Sequence, residues 1–294
     1  MNGSEPSAAQ SIARRVRRWQ IRDRVLTLGE MPLWMGIVNV TPDSFSDGGR
    51  YLDPAAATEH ALRLAAQGAD ILDVGGESTR PGSLPVDAEE QLRRVLPVIQ
   101  QLAGRTSVPI SIDTSNAAVA REAILAGARI VNDVTALAGD REMVAVVRDS
   151  GCGACAMHMQ GTPRTMQLRP AYHNVVEEVC AYLGRRRDDL TAAGIPPERV
   201  ALDPGIGFGK TAEHNLALLQ SAWRLHSLGC PLLIGPSRKR FLHKILDDDA
   251  DADLTASTIG VAIALAQQGV QILRMHDVLP VRQAIQAYYA TRGG

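Results

Sequence analysis

The stretch GADILDV, at residues 68–74, shows a junction that recurs along the chain. A glycine ends a helix-sized segment, and a short, wholly apolar run follows at once. The same junction occurs at residues 127–132, 229–235 and 269–275. Glycine accepts the left-handed conformation that closes many helices. A run that is apolar throughout, rather than alternating, predicts a strand that is covered on both faces.

Four further runs of this kind bring the number of predicted strands to eight; they lie at 34–40, 108–113, 153–159 and 199–203. A segment of helix length follows each strand. One opens with Asp53-Pro54, a capping residue before a proline at the first helical position. Another opens at Asp87 with Glu90 three residues later, the spacing of a capping box.

Strict alternation of strand and helix predicts a parallel sheet with right-handed crossovers. Eight such units in a chain of 294 residues predict a single-domain (β/α)8 TIM barrel. The domain is expected to span 19–294, after a disordered tail at 1–18. An open doubly wound sheet is the alternative, but the chain has no Gly-rich turn after its first strand.

The composition excludes several classes of function. Lys plus Arg number 31 and Asp plus Glu 32, so no general basic field is available for nucleic acid or an anionic membrane. Aromatic residues make up only 4%, too few for a surface that stacks rows of bases. No run approaches the roughly 18 apolar residues of a membrane span. The 4 cysteines form no disulfide framework, which favours a reducing, cytoplasmic location.

Polar side chains follow every predicted strand. In a (β/α)8 barrel the active site is built from the loops at these strand ends. A single Asn or Asp has an alternative explanation as a turn or cap residue. The whole set instead indicates one site; it comprises Asn39, Glu77 to Arg80, Asp113, Asn132, His158, Asp203, Ser237 to Lys239, Arg274 and His276.

The chemistry of this set predicts its ligands. Asp113, Asn132 and Asp203 offer acceptors and an amide, which suit the edge of a flat nitrogen heterocycle. Arg274 and His276 lie two residues apart on one strand, so they project to the same side and could grip an oxyanion. We therefore expect a heterocycle that carries an anionic group.

Three further segments extend this expectation. Ser237 to Lys239 is expected to open a helix, whose N–H groups and dipole would favour a second anion. Asn39 would supply a neutral oxygen to Mg²⁺, which takes few protein ligands beside water and phosphate. The long loops 41–53 and 77–87, with Phe45 among polar residues, have the character of lids that exclude water. Two ordinary surface loops are the alternative.

Eight motifs, in order and at the strand ends, resemble those of the dihydropteroate synthase family. They are GIVNVTPDSFSDGG (36–49), GGESTRPG (75–82), SIDT (111–114), NDV (132–134), MHMQGTP (157–163), DPGIGFGK (203–210), SRK (237–239) and RMHDV (274–278). The resemblance covers about residues 30–290. It implies that pyrophosphate is displaced from 6-hydroxymethyl-7,8-dihydropterin pyrophosphate by p-aminobenzoate, in a sulfonamide-sensitive homodimer.

The resemblance also implies roles for individual residues. The pterin would be held by Asp113, Asn132, Asp203 and Lys239, with Met157 and Phe208 lining its pocket. Asn39 would bind Mg²⁺, and Arg274 and His276 would hold the pyrophosphate. The p-aminobenzoate would lie near Phe45, Thr79, Arg80, Pro81 and Ser237. The residues expected to take part directly in catalysis are Asp113, Lys239, Arg274 and His276.

Two other functions would share part of this pattern. A methyltransferase that uses a methylated folate would need Asp113, Asn132 and Asp203 but has no evident use for Arg274 and His276. A non-catalytic pterin-binding paralogue should have lost Asn39, Lys239 or a rim arginine, and all are present. A nucleotide P-loop in PGIGFGKT, 204–211, is disfavoured because Pro204 lacks the N–H that a phosphate cradle uses.

Overall fold

Parallel strands alternate with helices around a barrel in the structure, a computed structural model that describes residues 12–13, 15–41, 53–78, 82–246, 249 and 252–291. The barrel strands within these ranges are β3 (Leu33–Asn39), β4 (Ile71–Gly75), β5 (Ile110–Asp113), β6 (Ile130–Asp133), β7 (Gly153–Met157), β8 (Val200–Asp203), β9 (Leu233–Ile234) and β10 (Ile272–Met275). Their order in the sheet is β8-β7-β6-β5-β4-β3-β10-β9. The predicted (β/α)8 barrel is therefore confirmed.

The barrel closes between its two outermost strands. A single parallel bridge joins Leu202 to Leu232, and the Leu202 N–H donates to the Pro231 carbonyl at 2.8 Å. Strand β9 in turn pairs with β10 at only two positions, Leu233 and Ile234. We call the junction between β8 and β9, at Leu202 and Leu232, the β8–β9 seam. It is the weakest hydrogen-bonded contact around the barrel within the described residues.

Helices cover the outside of the barrel. Those described are α1 (Pro54–Ala66), α2 (Ala88–Arg105), α3 (Ala117–Ala126), α4 (Met143–Ser150), α5 (Val175–Ala192), α6 (Ala212–Gln220), α7 (Phe241–Ile245), α8 (Leu254–Gln267) and α9 (Val278–Thr291), with 3-10 turns at Pro197–Arg199 and Ala222–Leu228. Among these residues, no helix combines the length and the apolar composition that a bilayer crossing requires.

Both predicted helix starts are found. Asp53 caps α1 by accepting from the Ala55 N–H at 2.9 Å, and Asp87 caps α2 by accepting from the Glu90 N–H at 2.8 Å. The capping box expected at Asp87 is only half formed. The Glu90 carboxylate binds Arg93 and Arg94 instead of returning to the cap, because those arginines lie three and four residues along the same helix face.

An antiparallel hairpin, which the sequence patterns did not predict, covers the amino-terminal end of the barrel. Its strands are β1 (Arg18–Ile21) and β2 (Arg24–Thr27). The fully buried Trp19 and Ile21 pack against the first inward-facing residues of the barrel strands, Met35, Ile71, Ile130, Cys155, Ala201, Leu233 and Ile272. This hairpin fills the amino-terminal end of the barrel. The carboxyl-terminal end of the strands, which we call the rim, is left for a ligand.

Candidate active site

The polar centre of the barrel is formed around the guanidinium of Arg274 on β10. Its Nε donates to Asp73 Oδ2 and its Nη2 to Asp113 Oδ2, both at 2.6 Å. The two carboxylates come from the neighbouring strands β4 and β5. The side chain of Arg274 is 20% exposed, whereas those of Asp73 and Asp113 are 0% and 11% exposed. One arginine is thus held by two acids at the base of an open site.

Asn132 belongs to the same cluster. It is the third residue of the fully buried strand β6, and its Nδ2 donates to Asp73 Oδ2 at 3.0 Å. The predicted site residues Asp113, Asn132 and Arg274 are therefore brought together, as their positions at strand ends led us to expect. Asp73, which joins them, was not among the predicted residues. The available signal was a single acid inside the apolar strand ILDV at 71–74, because an acid is seldom buried without a partner.

Asp203 and Lys239 form a second part of the site. Asp203 ends β8, is 6% exposed, and accepts from the Gly205 N–H at 2.7 Å. The Nζ of Lys239 lies 4.3 Å from the centroid of the Phe208 ring, a cation–π contact. Phe208 packs with Met157 and Met166 in a small apolar cluster. A flat ring could thus meet an apolar wall on one side and polar groups at its edge.

Burial shifts the ionisation of these groups. It raises the pKa of Asp113 to about 7, an effect that Arg274 opposes and that Asp73 reinforces. Burial also raises the pKa of Asp203 to about 6, against the opposing effects of the Gly205 N–H and Lys239. The pKa of Lys239 is lowered to about 8, by burial first and then by Arg274. Shifts of this size cluster at functional sites.

The segment from Ser237 to Lys239 departs from expectation, because it forms a turn and does not begin a helix. Helix α7 starts only at Phe241 and has five residues, and Arg238 has a left-handed φ of +53°. The bidentate pair between Arg238 and Asp277, at 2.9 Å for each contact, holds this turn against the end of β10. The expected anion site at a helix start is therefore not formed by this turn.

The predicted residues Ser237 and His276 lie side by side at the rim. Ser237 Oγ is 3.0 Å from His276 Nδ1, and the His276 backbone N–H donates to the same Oγ at 3.2 Å. The serine thus fixes the orientation of the imidazole ring. Phe45, Thr79, Arg80 and Pro81 lie outside the described residues, and their predicted contacts with p-aminobenzoate stay predictions.

Beneath the site, Lys210 and His158 form a buried pair. Lys210 Nζ lies 3.0 Å from His158 Nδ1 and donates to the Phe208 carbonyl at 2.9 Å. Burial, and then Lys210, lowers the pKa of His158 to about 3, while burial lowers the pKa of Lys210 to about 7. His158 is also packed edge-on against Tyr182. These contacts indicate that His158 is a structural residue beneath the site and not a catalytic base.

Two glycines within 203–210 allow this loop to pack closely against the backbone at His158 and Gln160. Gly205 has a φ of +69°, and a side chain there would collide with the His158 carbonyl oxygen. Gly209 meets the backbone of Gln160 in the same way. The close approach that these two glycines permit is thus between two loops of the protein itself.

Asn39 ends β3 at the rim and is half-buried. Within the described ranges, no three His, Cys, Asp or Glu side chains are grouped so as to enclose a metal. Asp73 and Asp113 face Arg274 instead. A single neutral oxygen suits Mg²⁺, which keeps several waters and shares its shell with substrate phosphates. The residues present therefore fit an ion that arrives with a phosphorylated ligand.

Comparisons with known proteins, by sequence and by structure, all find pterin-binding enzymes. The family model described as pterin binding enzyme matches residues 35–276. The dihydropteroate synthase of Neisseria meningitidis serogroup B is 45% identical over 266 residues, which cover 89% of this chain and 93% of the relative. The Xanthomonas albilineans dihydropteroate synthase with 4-aminobenzoic acid superimposes with a TM-score of 0.87 at 42% identity, covering 95% of this chain and 99% of that one.

A second structure of the Xanthomonas albilineans enzyme, in complex with 7,8-dihydropteroate, has a TM-score of 0.84 at 40% identity and covers 94% of this chain and 99% of that one. The family match spans most of the chain, and the relatives are matched over nearly their whole length. The chain therefore belongs to the pterin binding enzymes, within the dihydropteroate synthase family.

Proposed function

We propose that the protein is a dihydropteroate synthase that joins 6-hydroxymethyl-7,8-dihydropterin pyrophosphate to p-aminobenzoate, giving 7,8-dihydropteroate and pyrophosphate. The observation that carries this proposal is the meeting of Arg274, Asp113 and Asn132 at the open end of the barrel. Such a cluster offers acceptors for a heterocycle and a cation for its leaving group. The ligands named for the Xanthomonas albilineans structures, 4-aminobenzoic acid and 7,8-dihydropteroate, are a substrate and the product of this reaction.

In the proposed mechanism, Asp113, Asn132 and Asp203 would accept hydrogen bonds from the N–H edge of the pterin. Phe208 and Met157 cover one side of the ring, and Lys239 lies beside Phe208. A buried carboxylate that accepts such a bond discriminates strongly against a ring that lacks the donor. These residues therefore fix the heterocycle, so that its methylene carbon faces the rim.

At the rim, the carbon–oxygen bond to pyrophosphate breaks, positive charge develops on the pterin methylene carbon, and the arylamine nitrogen then attacks this carbon. Arg274 and His276 stabilise the negative charge that develops on the leaving pyrophosphate. Asn39 would hold Mg²⁺, and the chemistry that this ion would supply is neutralisation of negative charge on the pyrophosphate. The arylamine is nucleophilic without a strong base, and it loses its proton after attack. The loops 41–53 and 77–87 are proposed to exclude water from the electrophilic carbon.

Release of pyrophosphate tests the proposal. Purified protein with both substrates and Mg²⁺ should release pyrophosphate and form dihydropteroate, and the omission of either substrate should abolish both. Arg274→Ala should weaken binding of the pyrophosphate-bearing pterin far more than binding of a bare pterin. Arg93→Ala, which alters an exposed helix arginine, is the matched control. Tight pterin binding without any turnover would instead favour the non-catalytic paralogue.

Three further statements belong to the proposal. Sulfonamides, which resemble p-aminobenzoate, are expected to compete with it in the same assay. We propose a homodimer, which sedimentation of the purified protein would test. A cytoplasmic location is supported by the free thiols of the 4 cysteines, which suit a reducing compartment.

A further inference from the structure

We propose that Asp73 is a positioning residue that sets the guanidinium plane of Arg274 and the amide orientation of Asn132 together. This role rests on the proposed function, since it concerns how the same site is assembled. Asp73 lies in the middle of β4, is fully buried, and belongs to the interior of the barrel below the rim. It is therefore placed to act on a substrate only through the residues that it holds.

The contact with Arg274 is specific in geometry. A guanidinium is planar, so two hydrogen bonds from different nitrogens determine both its position and the tilt of its plane. Asp73 takes Nε, and Asp113 takes Nη2. If Asp113 alone were present, the group could rotate about that one contact. Asp73 thus determines which direction Nη1 and the face of the guanidinium present to the rim.

The contact with Asn132 works through the same oxygen. Asp73 Oδ2 accepts from both Arg274 Nε and Asn132 Nδ2. A flipped amide would set the Asn132 carbonyl oxygen against this carboxylate, which repulsion between two acceptors disfavours. The carbonyl oxygen is therefore the acceptor that Asn132 retains for a ring N–H. One atom of Asp73 orients a group for the heterocycle and a group for the leaving pyrophosphate.

A role limited to stability explains this arrangement less well. Buried ion pairs contribute little net stability, and apolar residues of similar volume often replace them without loss. Both observed bonds use Oδ2, whereas Oδ1 is buried without a hydrogen-bond partner among the described residues. An acid selected for stability would be expected to satisfy both oxygens. The two bonds to Oδ2 instead fix the directions of the Arg274 and Asn132 side chains, as is expected of a positioning residue.

Asp73→Asn tests this inference, because it keeps the shape but removes the charge and presents an amide donor. Displacements near 1 Å at a reacting group cost on the order of 100-fold in rate, and we expect a loss of about that size in kcat/KM. The KM for the pterin pyrophosphate should rise and kcat should fall, while the KM for p-aminobenzoate should change little. Ser111→Ala is the matched control, since Ser111 is buried, uncharged and in register with Asp73 on β5.

A second readout does not depend on turnover. The charged groups that act on Asp113 include Arg274, Asp73, Asp133, Glu77 and Lys239, and Asp73 raises the pKa of Asp113. Asp73→Asn should therefore lower the pKa of Asp113, as followed by carbon-13 NMR of the carboxyl group. A wild-type protein without activity would reject the proposed function but leave this measurement valid. An unchanged pKa of Asp113 would count against Asp73.

The double variant Asp73→Asn with Arg274→Ala covers the case in which the single variant does not fold. It removes one charge of each sign, so the net charge of the cluster is kept, and Asp113 is the acid that loses its contact with Arg274. If Asp73 acts through Arg274, the double variant should be about as active as Arg274→Ala alone, with the residual difference assigned to Asn132. Equal losses from Asp73→Asn with and without Arg274, or wild-type kinetics in Asp73→Asn, would overturn the inference.

Discussion

At the scale of single residues, burial raises the pKa values of the carboxyl groups in the site towards neutral pH. Burial raises the pKa of Asp113 to about 7 and that of Asp203 to about 6. Near pH 6 both groups in the free protein are partly protonated. An N–H donor of a bound pterin binds an ionised carboxylate more strongly than a protonated one, so it stabilises the ionised form. Binding should therefore lower both pKa values.

Pterin binding at pH 6 should consequently release protons, up to about one for each carboxyl group that is protonated beforehand. At pH 8.5 both groups are already ionised, and the release from them should vanish. Calorimetric titration with a bare pterin, in two buffers of different ionisation enthalpy, measures the number directly. Asp203→Asn should reduce the release at pH 6, and the exposed Asp149→Asn should not. Proton uptake at pH 6 would contradict the assignment of these acids as acceptors.

The residues that could be predicted from sequence are those at strand ends. Asp113, Asn132 and Asp203 were identifiable because each directly follows a short apolar run. Asp73 was not, because it lies inside such a run and its partners are 59 and 201 residues away. The requirement for glycine at position 205 could not be predicted either. Its neighbour His158 is distant in sequence, and only the folded chain places the two loops in contact.

At the scale of elements, the hairpin β1–β2 is the part of the fold that sequence patterns missed. Each of its strands has four residues, too few for alternation to stand out beside a tail rich in arginine. The role of Arg186 could not be predicted either, because the sequence shows only three consecutive arginines at 185–187. Arg186 donates to the Ala136 and Leu137 carbonyls, whose residues have left-handed φ angles, and so ties α5 to the loop after β6.

Trp19→Ala should show what the hairpin contributes. The indole is fully buried against the barrel strands, and its Nε1 donates to the Arg199 carbonyl at 3.1 Å. Truncation of a buried aromatic residue costs about 3–5 kcal/mol, and urea unfolding should detect a loss of this size. Val25→Ala, on the exposed face of the same hairpin, should change stability by less than about 1 kcal/mol. Equal stability of both variants would show that the barrel closes without this cover.

We expect the amino-terminal end of the barrel to contribute stability and the rim to bind the ligand. Trp19→Ala can distinguish these two roles. In the fraction of Trp19→Ala that remains folded, pterin affinity should stay within about twofold of wild type, because the hairpin and the rim share no contact among the described residues. Calorimetry below the unfolding transition checks this expectation. A large loss of affinity would mean that packing at the amino-terminal end is transmitted to Asp73 and Arg274.

At the scale of the whole molecule, the fold was predictable because its pattern is local and repeated. Each unit of strand and helix carries its own glycine stop and apolar run, so closure into a barrel follows from the count of units. The strength of that closure did not follow. Strand β9 pairs over only two residues, and the β8–β9 seam depends on one bridge, which no local pattern encodes.

Binding of the proposed ligand should stabilise the β8–β9 seam against opening. Asp203 ends β8, Lys239 follows β9 and Arg274 lies on β10, so a pterin bound as proposed would contact strands on both sides of the seam. Saturation at about 100 times Kd stabilises the folded state by about 2.7 kcal/mol. If the seam opens more readily than the rest of the barrel, hydrogen exchange should slow most at 200–203 and 231–234, and less at the β4–β5 pair. The same pterin added to Asp203→Asn should give little extra protection at the seam. Uniform slowing across all strands would show that the barrel opens only as a single unit.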